Sequence, residues 1–189
     1  RYLLTLSYRY DGASQLGPGH KWQGFPSVAL GWRLDQEDFM KDVDWIENLK
    51  LRTGWGKTGN YSVGRYSTKD NLSSSIINFG AQGETVYYTP NSFANQEISW
   101  EVTDQYNVGV DFSVLKGRIS GVVDVYHNRT NGLIFDVKLP SASGKTSTKD
   151  NIGKLHNNGI DITLNTINIS RKDFSWRSTL NLDFNKNKI

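Results

Sequence analysis

Three groups of residues in this chain are of types that could do chemistry. Asp35, Glu37, Asp38, Asp42 and Asp44 form an acidic run that could hold a calcium ion. The run lacks the central Gly and closing Glu of a twelve-residue calcium loop, so a solvated helix face is the better reading. His20, His127 and His156 are scattered along the chain, with no zinc-ligand spacing among them. They read as solvent-facing or, should the chain enclose a space, lumen-facing side chains. A Ser-His hydrolase would need a nucleophile elbow, and no G-x-S-x-G occurs. Walker and dinucleotide fingerprints are missing as well. Cysteine is absent, which removes disulfides, thiolate metal sites and Cys nucleophiles together. No catalytic set emerges, no metal or cofactor is expected, and the sequence argues against an enzyme.

The third group is aromatic. Tyr61, Tyr66, Phe79, Tyr87, Tyr88, Phe93 and Trp100 fall in or beside one long polar stretch. Exposed rings can stack on sugars or grip a partner protein. Against this stands a loop that packs on itself. Tyr61, Tyr66, Tyr87, Tyr88 and Trp100 are the candidates for contact with a substrate or partner.

The elements that must carry these residues have a period of two. Tyr2, Leu4, Leu6, Tyr8 and Tyr10 alternate with Leu3, Thr5, Ser7, Arg9 and Asp11. The same alternation recurs at Pro26–Leu34, Leu49–Gly56, Gln105–Val114, Ile119–Val125, Ile160–Asn165 and Phe174–Asn185. That makes about seven strands, each roughly 9–16 residues long. Strands of soluble domains average nearer five or six residues, whereas a tilted membrane-crossing strand needs about 9–11. Mean hydropathy is −0.55, which would suggest a soluble chain. A barrel strand meets lipid only at every second residue, so a low mean is compatible with a membrane barrel. No apolar run approaches the roughly 18 residues of a membrane helix.

The alternating faces sharpen the reading. One is apolar with Trp, Tyr or Phe near strand ends, as an interfacial girdle would be; the candidates are Tyr10, Phe25, Trp32, Trp55, Phe112 and Trp176. The other carries Gly, Ser, Thr, Asn and Asp, which suits a crowded wet lumen. A β-sandwich also alternates, and composition alone leaves it open. The connections favour the barrel. Gly12–Gly24, Thr58–Ser99 and Thr130–Asn151 are long, while Lys116-Gly117 and Arg171-Lys172 mark tight turns. Outer-membrane barrels place long loops outside and short turns on the periplasmic side. The order survives only if 58–99 contains no strand or two, and it reads mainly as one extracellular excursion. Asp35–Asn48 is longer than a tight turn; Asp35 is expected to cap one or two helical turns there. The repeated tetrapeptide Thr68–Asn71 and Thr148–Asn151 falls in expected loops. The alternation still runs at Ile189 and no export signal opens the chain, so a segment of a longer protein is expected. The net charge of +3 is small and spread out, and no nucleic-acid groove is implied.

A succession of short segments then carries a resemblance. It runs through Arg9-Tyr10-Asp11-Gly12, Phe25–Arg33, Leu49–Arg52, Gly54–Asn60 and Ser99-Trp100-Glu101. It continues through Tyr106–Phe112, Asp124-Val125-Tyr126, Leu139-Pro140, Asn151-Ile152-Gly153 and Asn158–Asp161. This order resembles the C-terminal half of the barrel in SusC/RagA-type TonB-linked outer-membrane transporters, over nearly the whole chain. One departure is Asn95-Gln96-Glu97, where the family tends to have a Pro. The resemblance implies an all-β chain, residues 1–189 being part of a large antiparallel transmembrane barrel of roughly twenty-two strands. It implies a plug and a TonB-binding segment N-terminal to this chain, a SusD-like surface lipoprotein partner, outer-membrane lipid around the wall, and an oligosaccharide or peptide cargo. The alternatives are a small passive barrel or adhesin and a soluble glycan-binding β-sandwich.

Overall fold

The period-two pattern folds as one continuous meander. The computed structural model describes residues 1–78, 80, 83–144 and 147–189. Strands β1 (Tyr2–Gly12), β2 (Trp22–Arg33) and β3 (Ile46–Asn60) are followed by β4 (Asn71–Asn78) and β5 (Glu84–Ser92). Then come β6 (Glu101–Val114), β7 (Ile119–Lys138), β8 (Ser147–Ser170) and β9 (Ser175–Lys188). Seven of them form a single antiparallel sheet in the order β1-β2-β3-β6-β7-β8-β9. Strands β4 and β5 pair only with each other, as a hairpin within the long excursion. Two extra strands leave the up–down order intact, as the loop argument required.

Among the described residues, no second sheet covers the apolar face. Leu6 is 71% exposed, and Leu4, Leu30, Val108, Val125, Ile160 and Leu182 are exposed as well. An uncovered aliphatic band crossing seven strands is far larger than the patches soluble proteins tolerate. A sandwich would bury this face against a partner layer; a barrel turns it to lipid.

The register reveals strand tilt. Leu6 lies mid-band on β1. The residues paired in line with it are Val28, Trp55, Tyr106, His127, Asn158 and Lys186. One ladder row thus leaves the apolar band by β7. A flat bilayer crossing tilted strands produces this drift, because the rows run perpendicular to the strands and oblique to the membrane.

Three expectations are corrected. The loop foreseen over 130–151 is mostly strand: β7 runs to Lys138 and β8 starts at Ser147. Above the bilayer both faces of this hairpin meet water, so Ser147–Leu155 shows no apolar alternation to read. The expected helix after Asp35 is instead two short 3-10 turns, Leu34–Gln36 and Asp38–Met40. Asp35 sits inside the first turn and caps neither; its carboxylate takes Arg33 and the Leu49 N–H instead. Phe25 has the parity of Ser27 and Ala29, not of Val28, so it points to the lumen side and leaves the girdle. Trp22 joins the girdle: it pairs with Gly12 and stacks on Tyr10 at 5.5 Å.

Candidate functional site: the loop platform and the lumen wall

Among the described residues, the buried hydrophobic side chains gather at the long-loop end. Ala13, Leu16, Phe25, Ile98 and Trp100 form a small core, with Val63, Val102 and Ile134 against it. Trp100 meets Phe25 edge to face at 5.4 Å, and its indole N–H donates to the Lys21 carbonyl at 3.3 Å. Gly59 makes room for this packing, since a Cβ there would lie 2.2 Å from the Phe25 ring. The Gly17 N–H donates to the Ile98 carbonyl at 2.9 Å, so the first loop is tied to the end of the second.

Polar side chains extend the tie to the β7–β8 hairpin. Asn151 accepts from the Ser99 N–H at 2.9 Å and donates to the carbonyls of Ser99 and Gly132, at 3.1 and 2.7 Å. Gly132 has φ +69° where the β7–β8 register shifts. Buried Glu101 accepts from Asn60 and from the Ile134 N–H, each at 2.8 Å. Asn95 donates to the Lys149 carbonyl at 2.9 Å and accepts from the Glu97 N–H at 2.9 Å. The Asn-Gln-Glu departure is thus held by an Asn side chain that folds the local turn. The second Thr-Lys-Asp-Asn copy lies in β8 and supplies two partners of this network, Asp150 and Asn151.

The five predicted contact residues occupy different environments. Trp100 is 6% exposed and serves as the centre of the core. Tyr61 rests edge to face on it at 5.0 Å and remains partly open to solvent. Tyr66 is exposed and left-handed, with φ 64°. Tyr87 and Tyr88 project from opposite faces of β5, across from Ser75 and Ser74. Tyr88 is 66% exposed and shares its face with exposed Leu72, Ile76 and Val86. Phe79 lies outside the described residues.

The lumen face of the wall carries a charge line that the sequence reading missed. Arg52, Gly109, Asp124, Asp161 and Asp183 stand in one ladder row across β3 to β9. Arg52 reaches over Gly109 to Asp124 at 3.0 Å and also takes Asp111 at 2.8 Å. A Cβ on Gly109 would lie 2.1 Å from the Asp124 carboxylate, so the glycine opens the path. These residues are 59 and 72 positions apart, and only register brings them together.

At the short-turn end several ties lie within one connection, and Arg1 reaches in from β1. Asp35 accepts from Arg33 at 2.6 Å, and this hydrogen bond holds its carboxyl below the ordinary value of 3.8. Glu37 accepts from the Trp32 indole at 2.9 Å and pairs with Arg1 at 3.2 Å; the indole hydrogen bond chiefly lowers its pKa. Asp38 pairs with Lys41 and Arg1. Asp35, Glu37 and Asp38 of the acidic run are therefore taken up by cations of their own rim. His127 and His156, far apart in sequence, are neighbours on the outer face with ring centres 6.0 Å apart, and not lumen residues.

This fold and site define a section of a transmembrane β-barrel wall with its extracellular loop platform. The chain matches the model of the TonB dependent receptor-like β-barrel family over residues 1–188, and it belongs to that family. It is 38% identical to the TonB-dependent receptor SusC of Bacteroides thetaiotaomicron, over all of this chain and 19% of that protein. It is 36% identical to TonB-dependent receptor P26 of Formosa agariphila, again over 19% of the relative. Among solved structures it is similar to the RagAB peptide importer in its closed-closed state. There the TM-score is 0.87 at 26% identity, covering 98% of this chain and 20% of that one. The open-open state of the same importer gives 0.85. The chain thus spans about a fifth of the length of these relatives.

Proposed function

We propose that this chain forms part of the wall and the lid-facing loops of a TonB-dependent importer in a bacterial outer membrane. The cargo is an oligosaccharide or peptide too large for a porin, and a SusD-like surface lipoprotein sits over the loops. One observation carries the reading: a lipid-ready apolar band ends beneath three loops locked into one platform, on which the β4–β5 hairpin presents an open apolar face. Leu72, Ile76, Val86 and Tyr88 on that face suit a protein partner. The platform is tied by half-buried hydrogen bonds, so a lid can rock against a firm seat. Energy enters through TonB, acting on a segment N-terminal to this one. The role is binding and passage, with no chemical step. Outer-membrane fractionation of the full-length protein, with pull-down of lipoproteins and uptake compared with and without TonB, tests it. Detergent-dependent release from outer membranes and TonB-dependent uptake are expected. Recovery in the soluble fraction, or uptake indifferent to TonB, overturns it.

A further inference from the structure

We propose that the outer face of strands β6–β9 carries a binding site for an acylated lipid with a phosphate-bearing headgroup. The proposal rests on the apolar face being the membrane face. Its first support is shape. An open groove of about 570 Å³ lies on that face where the apolar band ends. Its floor includes Val108, Val125 and Ile160, and its upper edge includes His127, Asn158 and Lys186. His127 and Asn158 are hydrogen-bonded across the β7–β8 pair, which fixes that edge. A greasy trough open to the bilayer suits acyl chains.

The second support is charge. Two ladder rows above the groove's edge, on the same face, Arg129, His156 and Lys188 stand directly in line. Lys154 follows two rows higher, opposite Asn131. With Lys186 this makes four permanent cations, all exposed. Asp104 stands opposite Arg129 on this face and is engaged by Lys57 at 3.8 Å. None of the four cations has a carboxylate within salt-bridge distance among the described residues. They sit outside the wall, so neither lumen cargo nor plug can use them. Long basic side chains beside lipid reach for the interface, where anionic headgroups wait. The site is also local: on β1 and β2 the upper end of the band carries Tyr8, Tyr10 and Trp22 instead.

The test uses the full-length protein, extracted from outer membranes in non-ionic detergent and stripped of lipid. Native mass spectrometry then compares dioleoylphosphatidic acid with dioleoylglycerol, which has the same chains and no phosphate. Phosphatidic acid should bind well and dioleoylglycerol weakly. At roughly fivefold per interfacial charge, the Arg129→Gln, Lys188→Gln double variant should lose roughly 25-fold in phosphatidic acid affinity. Ile160→Trp, which fills the groove, should weaken binding with every charge in place. Both variants should melt like the wild type. Equal binding of the two lipids, or no change in the double variant, overturns the site. Full displacement by inorganic phosphate would leave an anion site and overturn the lipid assignment. Failure to recover the protein with outer membranes would instead sink the membrane reading, before any titration began.

Discussion

The two ends of the sheet hold their connections by different means. At the short-turn end, Asp35 binds Arg33 two residues away and Glu37 binds Trp32 five away, the longest reach of this connection being to Arg1, 36 residues from Glu37. At the long-loop end, Trp100 binds Lys21, Ser99 binds Asn151 and Asn95 binds Lys149, across 79, 52 and 54 residues. A short connection needs only side chains that satisfy its own backbone. A long loop left alone would keep its conformational entropy, and only a core beneath it offsets that loss. The periplasmic rim is therefore an accessory of its strands, while the platform has a small core of its own.

The contrast can be broken most severely at its centre. Trp100→Ala should destabilise the platform by about 3–5 kcal/mol, the usual range for emptying a buried aromatic site. Limited proteolysis of the full-length protein should then cut within 13–21 and 93–99 while the barrel band stays intact. Cleavage no faster than in the wild type would mean that the loops do not depend on this core. Asn151→Ala should cost about 1–3 kcal/mol, because the Ser99 and Gly132 backbone groups lose their partner. Hydrogen exchange at Ser99 reads it directly.

Asp35→Asn should cost less, about 1 kcal/mol, since Arg33 stays half in water. The sign with pH follows from the lowered carboxyl. The folded pKa lies below the unfolded value, so the contribution is complete above 3.8 and disappears as pH falls through the lower folded value. Thermal melts of wild type and variant should differ at neutral pH and converge in acid. A difference that persists in acid would assign the effect to packing. The smallest effect on stability, within about 0.5 kcal/mol, is expected of Tyr88→Ala on the exposed hairpin face. Its effect should appear in weaker capture of the surface lipoprotein proposed above. Unchanged capture would move the contact elsewhere on the platform.

The relation of sequence to structure differs by region in the same way. Within the bilayer, lipid on one side and lumen on the other impose a period of two. Tyr2–Tyr10, Gln105–Val114 and Phe174–Asn185 therefore show their strands and faces without coordinates. Above the bilayer that constraint ends, and Ser147–Leu155 is strand with no alternation to reveal it. Phe25 shows a subtler limit: its residue type suits a girdle, but its parity sends it into the platform core. Parity alone could have corrected that expectation.

By itself, then, the sequence determined the seven wall strands and the face each turns to lipid. These follow from local chemistry repeated along the chain. The tertiary structure alone decided the tilt that carries Lys186 out of the band Leu6 occupies, the Arg52 reach over Gly109, the pairing of His127 with His156, and the fusion of three loops around Trp100. Each of these depends on cross-strand register or loop packing, which joins residues dozens of positions apart and leaves no periodic trace in the chain.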